Sequence, residues 1–212
     1  HDALPIFIGK IGVLGLGYSM GAPKLQTTLA LGTMGPAVFL ELDMCQKIVN
    51  LYRRMNFRIV AFWKTCEAIL NDMITGTPGE YKCLRWEKEC IWLPNGMRLK
   101  YPGLKCKQND RGFTEYSYLR KGHETKIYGG LLCENIVQAL ARIIIGDQLL
   151  ELADTHKYRV VTTTHDEIVN CVRTASAAKC FRTMLKVMTT PPEWCSDLVL
   201  SAEGGWAVNY SK

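Results

Sequence analysis

Two short β-branched runs lie on either side of three polar residues in the last third of the chain. Residues 158–164 and 168–172 are rich in Val, Ile and Thr, and His165, Asp166 and Glu167 separate them. This pattern predicts an antiparallel hairpin with the polar side chains in or beside its connection. Adjacent carboxylates at such a point repel each other unless a cation lies there, and oxygen-rich sites suit Mg²⁺. The pattern is thus compatible with a Mg²⁺ site at Asp166 and Glu167 and also with an ordinary polar turn.

Helical patterns occupy the region before residue 76. Apolar residues recur at helical spacing over residues 38–52 and again over 57–73, and Asn56 separates the two patterns. In the second pattern, we expect Ile59 and Trp63 to face inward together with the apolar residues that follow them. Two successive helices are therefore predicted here.

Short strands are expected next, over residues 81–126, with a hairpin around Pro94-Asn95-Gly96. A long helix is predicted after Gly129-Gly130, to about residue 153, and a last helix over 175–188. The order of helices, strands, helix, hairpin and helix predicts an α+β fold.

The composition is that of a folded chain with a modest positive charge. Lys and Arg number 26 against 20 Asp and Glu, which gives a net charge of +6, and 48% of the residues are apolar. These values exclude a disordered chain, and they permit an anionic partner without requiring one. No apolar run reaches the roughly 18 residues that crossing a bilayer needs, so we expect no membrane-spanning segment.

The long helix predicted after Gly130 carries a polar stripe. Glu134, Gln138 and Arg142 follow one another at intervals of four residues, and Asn135 flanks them. Amide and guanidinium groups in a row can donate hydrogen bonds to base edges or to phosphates. A solvated face of an amphipathic helix has the same pattern, so both interpretations stay open on these residues alone.

The glycine-rich N-terminal segment has two interpretations. If it is a helix, Lys10, Leu14 and Tyr18 lie on one face, where the Lys can bind a phosphate and the Tyr ring can stack on a base. Alternatively, residues 10–21 form a strand that turns into a helix through a dinucleotide-binding loop. That alternative predicts an NAD-dependent oxidoreductase, with a strand over residues 11–14.

Taken together and in order, these motifs resemble the C-terminal polymerase portion of family A DNA polymerases, the bacterial DNA polymerase I and phage replicative type. The resemblance covers nearly the whole chain from Gly9. Residues 9–18 are similar to motif B of the family, and His165-Asp166-Glu167 is similar to its motif C. The other segments that carry the resemblance are the Tyr52-Arg53 and Trp63 region, Leu93-Pro94-Asn95-Gly96, Tyr128-Gly129-Gly130 with 134–142, Pro191-Pro192-Glu193-Trp194, and Ala202-Glu203-Gly204-Gly205.

The resemblance implies template-directed DNA synthesis, in which deoxynucleotides are added to a primer 3′-hydroxyl with two Mg²⁺ ions. Asp166 would be one of the two carboxylates that hold the metal pair, and Glu167 would be a secondary carboxylate beside the metals. Lys10 would bind the incoming triphosphate and assist protonation of the leaving group. His165 would lie near the primer terminus.

The resemblance also implies the residues that hold the nucleotide and the DNA. Leu14 would contact the nucleotide sugar, and Tyr18 would stack at the templating position. Gln138, with Asn135 and Arg142, would contact the primer-template in the minor groove, where the acceptors are shared by all base pairs.

The implied architecture is the fingers and palm portion of a right-hand-shaped polymerase, with fingers helices over residues 1–76 and a palm portion over 77–212. The partners would be primer-template DNA, deoxynucleoside triphosphates and the upstream part of the same polymerase, in the cytoplasm of a bacterium or of a phage-infected host.

Two departures from the family pattern concern activity. Ile6 stands where the family has an Arg one turn before the motif B Lys, and no motif A Asp precedes motif B. We therefore expect the isolated chain to be inactive as a polymerase. A non-catalytic, DNA-binding relic of the polymerase fold is a further alternative.

Overall fold

The protein is α+β, as its sequence predicts, with helices and antiparallel sheets in the expected order. The computed structural model describes residues 9, 12–32, 36–110 and 112–210. The chain divides into two units, one of residues 1–92 with 97–137 and the other of residues 93–96 with 138–212. The sequence predicts a different division, with fingers over residues 1–76 and a palm portion over 77–212. The two units do not test that division, which stays a prediction.

The first unit begins with helices. Residues 12–16 are helical (α1), and the helices that follow are α2 (Ala22–Ala30), α3 (Leu42–Met55) and α4 (Phe57–Thr75). Non-helical backbone at Asn56 separates α3 from α4, which confirms the predicted break. Leu16, Leu25 and Val49 are buried in one apolar cluster that joins α1, α2 and α3.

Helix α4 has the predicted buried face. Its buried residues are Trp63, Cys66, Ile69, Leu70 and Met73. Ile59 was expected to face inward as well, and this was wrong, because 36% of its surface is exposed. It lies one turn before Trp63, the first buried residue of the helix.

Two antiparallel sheets follow in the first unit, as the strand patterns predict. The first contains β1 (Gly79–Tyr81), β2 (Leu84–Glu87), β3 (Cys90–Trp92) and β4 (Arg98–Lys100), paired in chain order. The predicted hairpin around residues 94–96 is the β3–β4 connection, where Gly96 has a φ of 80°. The second sheet contains β5 (Lys105–Gln108), β6 (Thr114–Arg120) and β7 (His123–Ile127).

Side-chain hydrogen bonds attach both sheets to α4. The Trp86 indole donates to the Asp72 carboxylate at 3.1 Å, and the Tyr116 hydroxyl donates to the Asn71 side-chain oxygen at 3.1 Å. Adjacent residues near the end of α4 thus hold one sheet each.

The long predicted helix is α5 (Gly129–Leu150), which a π-helical turn, Glu151–Thr155, extends. The division between the two units falls within α5. The second unit continues with β8 (Arg159–Thr164), β9 (Glu167–Cys171) and α6 (Ala177–Thr189), all as predicted. Over the described part of the chain, the helices lack the combination of length and apolar character that a bilayer span requires.

The second unit has its own apolar core. Leu152, Ile168 and Val187 are buried together, and they come from the π-helical turn, β9 and α6. The buried Gln148 donates its side-chain amide to the Met188 carbonyl at 3.2 Å, which joins α5 to the end of α6.

Asn170 lies on β9 with an unsatisfied amide. Both polar atoms of its side chain are buried and lack a nitrogen or oxygen partner among the described residues. The Cys180 thiol, whose pKa burial raises and Asn170 lowers in part, is only a weak hydrogen-bonding group. A buried polar group without a partner costs about 1–3 kcal/mol. We therefore expect Asn170→Val to raise the free energy of unfolding of the chain by about 1 kcal/mol or more, measured by urea denaturation. Thr162→Val, at an exposed position of β8, is the control and should change it by less than about 0.5 kcal/mol. A less stable Asn170→Val chain would show that the amide is satisfied.

Candidate functional site

The predicted hairpin places the His-Asp-Glu motif at its tip. Thr164 pairs with Glu167, so His165 and Asp166 form a two-residue connection between β8 and β9. His165 has a φ of 54°, a left-handed conformation that Lys82 and Lys121 share in two other two-residue strand connections, so it belongs to the geometry of the tight turn. The Asp166 side chain is exposed at this tip, and Glu167 is half-buried as the first residue of β9.

The hairpin is anchored beneath the motif. Ile168, the residue after Glu167, is buried against Leu152 and Val187. A register irregularity between Val160 and Thr162 adds a bulge to β8, and such bulges bend a strand and redirect its side chains near active sites. Asp166 therefore lies at the end of a hairpin whose base is packed in the core. A metal ligand needs such a rigid support to keep its position.

Oxygen atoms are the available donors at this tip. Asp166 contributes an exposed carboxylate, and Glu167 a half-buried one. Hard oxygen ligands of this kind fit Mg²⁺, which commonly takes one or two protein carboxylates and completes its shell with water and substrate phosphates. Within the described ranges, no three His, Cys, Asp or Glu side chains come together as a ready metal site. The donor set fits Mg²⁺ as a partial site that needs further oxygen ligands.

The N-terminal segment is helical where it is described. Residues 12–14 belong to α1, so the strand that the oxidoreductase alternative requires over residues 11–14 is not formed there. Leu16 is buried in the helical core, whereas Leu14 is 45% exposed and available for a ligand. Lys10, the predicted triphosphate ligand, lies outside the described residues.

Tyr18 lies in the turn after α1, and two helices, α4 and α5, fix that turn. The Trp63 indole on α4 donates to the Gly17 carbonyl at 3.0 Å. A Cβ placed on Gly130, at the start of α5, would come within 2.7 Å of the Tyr18 carbonyl oxygen. A Cβ on Gly129 would clash with the Trp63 carbonyl oxygen in the same way. The two glycines thus let α5 begin directly against the backbone of α4 and of the Tyr18 turn.

The surroundings of Tyr18 keep its hydroxyl neutral. Burial raises the pKa of Tyr18, and the nearby Glu134 carboxylate and Cys133 add to the increase. The same causes act on Tyr52 of α3, where burial raises the pKa and Cys133 and Tyr18 contribute. The sequence patterns predict no contact of Tyr18 with Tyr52 or with Glu134, which they place in the polar stripe of the long helix. Their spacing relative to Tyr18 gives no signal, because Tyr52 lies on α3 and Glu134 on α5, and only tertiary packing brings them to the turn after α1.

The three predicted DNA contacts on α5 differ in their surroundings. Asn135 is partly buried and donates its amide to the Tyr101 hydroxyl at 3.1 Å. Burial raises the pKa of Tyr101 to about 12, and the hydrogen bond from Asn135 opposes that increase. Gln138 and Arg142 are exposed one and two turns further along the helix. Asn135 therefore has an internal partner, whereas the other two side chains reach the surface.

The predicted site residues fall into two sets. Leu14, Tyr18 and Asn135 belong to the first unit. The second unit holds Gln138, Arg142, His165, Asp166 and Glu167. The structure brings His165, Asp166 and Glu167 together on one hairpin, and the joint site of both sets stays a prediction.

A known protein is similar to this chain. A DNA polymerase of Bacillus phage SP02 is 30% identical to this chain over 220 residues. The chain is similar to a phage DNA polymerase. The match covers 96% of this chain but 32% of that polymerase, so the chain spans about a third of the length of the curated relative. No family model matches the chain, and no solved structure matches it. This similarity does not favour the oxidoreductase alternative.

Proposed function

We propose that this chain is the fingers portion and most of the palm of a family A DNA polymerase, which adds deoxynucleotides to a primer under the direction of a template. The observation that carries the proposal is the β8–β9 hairpin, with exposed Asp166 at its tip and Glu167 beside it, in a chain similar to a phage DNA polymerase. The family A assignment rests on the order of the sequence motifs.

In this proposal, Asp166 binds the catalytic metal ions and Glu167 stands beside them. When bound, two Mg²⁺ ions supply Lewis-acid stabilisation to the attacking and leaving oxygens of an in-line displacement. His165 lies next to the primer terminus. Its left-handed backbone forms the tight turn between β8 and β9. Lys10 contacts the triphosphate and provides a proton to the leaving pyrophosphate. A further carboxylate, of the motif A type, completes the metal shell from the upstream part of the polymerase.

The predicted residues outside the β8–β9 hairpin contact the nucleotide and the DNA. The exposed Leu14 contacts the sugar, and Tyr18, held by the Trp63 hydrogen bond to the preceding residue, stacks at the templating position. Gln138 and Arg142 reach the primer-template from the surface of α5. Asn135 contacts it as well, and its hydrogen bond to the Tyr101 hydroxyl fixes its side chain.

Primer extension by the complete polymerase is the experiment that tests this function. We expect only the nucleotide complementary to the template to be added, in the presence of Mg²⁺, and we expect the isolated 212-residue chain to add none. A relic would instead bind primer-template, with an affinity that falls steeply as salt rises, and would incorporate nothing even in the complete protein. Quenching of the protein's tryptophan fluorescence by NADH, together with no primer extension, would support the oxidoreductase and refute the polymerase.

A further inference from the structure

The C-terminal residues return to the hairpin that carries the His-Asp-Glu motif. Residues 198–210 contain neither helix nor strand. The Trp206 ring packs against Phe181 of α6, with ring centroids 5.3 Å apart. Gly204 lies against the same ring, since a Cβ placed on it would be 3.4 Å from a Phe181 carbon. This aromatic contact thus holds residues 198–210, the C-terminal segment, against α6.

Beyond Trp206, the C-terminal segment reaches Glu167. The Tyr210 hydroxyl lies 3.1 Å from Oε2 and 3.3 Å from Oε1 of the Glu167 carboxylate, so it donates to both oxygens. The two residues are 43 positions apart in sequence. Tyr210 is 59% exposed, so burial of its ring does not account for its position. The hydrogen bond to a charged acceptor does, because such bonds are about twice as strong as neutral ones.

We propose that Tyr210 is a positioning residue for the divalent-cation site on the β8–β9 hairpin, and that it acts through Glu167. This inference rests on the proposed function and deepens it, because it adds an outer residue to the metal site. A Glu side chain has several rotatable bonds, and its freedom opposes any single arrangement beside a metal. The phenol restrains the carboxylate while leaving the exposed Asp166 carboxylate open to the ion.

Outer partners of this kind typically change metal affinity or activity by about 10–100-fold when they are removed. Tyr210→Phe deletes only the phenol hydroxyl and keeps the aromatic ring at the end of the C-terminal segment. We therefore expect Tyr210→Phe to raise the Kd of the site for Mn²⁺, used as a paramagnetic probe for Mg²⁺, by about tenfold or more. The melting temperature should stay the same, since the residue is exposed.

The test is Mn²⁺ binding to the complete polymerase, which supplies the further oxygen ligands that this partial site needs, and water-proton relaxation measures the binding. Tyr81→Phe is the matched control, because it deletes a phenol hydroxyl from β1, in the other unit, and should leave the Kd unchanged. Asp166→Asn should abolish the binding. A Tyr210→Phe chain that binds Mn²⁺ as tightly as the wild type, when Asp166→Asn does not bind, would overturn the inference about Tyr210 alone. Binding that survives Asp166→Asn, or its absence from the wild type at saturating Mn²⁺, would overturn the metal site and the inference together.

Discussion

Asp166→Ala in the complete polymerase should abolish primer extension, with a loss of about a thousandfold or more in the rate of nucleotide addition. The carboxylate stands at the tip of the β8–β9 hairpin, where it is exposed and available to a cation. Metal ions contribute several kcal/mol to the stabilisation of a phosphoryl-transfer transition state, and about 4 kcal/mol corresponds to a thousandfold change in rate. Single-turnover extension of a labelled primer measures the effect.

The same substitution should leave folding and DNA binding nearly intact. An exposed side chain away from the core contributes little to stability, within about 0.5 kcal/mol. DNA affinity comes mainly from cationic contacts to phosphates, and Asp166 supplies none. Asp154→Ala is the matched control, because it removes an exposed carboxylate from the π-helical turn of the same unit. Extension at more than a tenth of the wild-type rate in Asp166→Ala would remove this residue from the proposed metal site.

The elements of this fold follow from local sequence patterns. The β-branched runs around His165 and Asp166 produce β8 and β9 because extended backbone accommodates branched side chains on both sides of a tight turn. Helical periodicity likewise locates α3 and α4, and Asn56 marks their junction. Ile59 is the instructive error. Periodicity placed it on the apolar face of α4, but a residue is buried only where another element covers it.

The contacts within the candidate site could not be predicted in the same way. Trp63 and Gly17 are 46 residues apart, and their hydrogen bond depends on how α4 packs against the end of α1. Tyr210 and Glu167 meet through a segment without regular structure, which no periodicity describes. The sequence motifs predict the site side chains, whereas tertiary packing determines which groups orient them.

Gly130→Ala should destabilise the chain, although alanine is the better helix former. A Cβ at this position would lie 2.6 Å from the Ser19 Cβ and 2.7 Å from the Tyr18 carbonyl oxygen, both closer than atoms tolerate. The carbonyl belongs to the backbone and cannot rotate away, so either α5 or the Tyr18 turn must shift. Overpacking of this kind costs about 1–3 kcal/mol, which exceeds the gain of about 0.5–1 kcal/mol from replacing glycine in a helix. We expect a net decrease in the free energy of unfolding, measured by urea denaturation.

Gly146→Ala is the matched control because Gly146 lies in the same helix, α5, with no described atom within 4 Å of its would-be Cβ. There the helix preference acts alone, so this variant should be more stable by about 0.5–1 kcal/mol. The two substitutions are chemically identical and should differ in sign. If both raise the stability, the start of α5 does not contact the Tyr18 turn closely. If Gly130→Ala lowers it and also weakens nucleotide use by the complete polymerase, the close approach serves the position of Tyr18 as well as the fold.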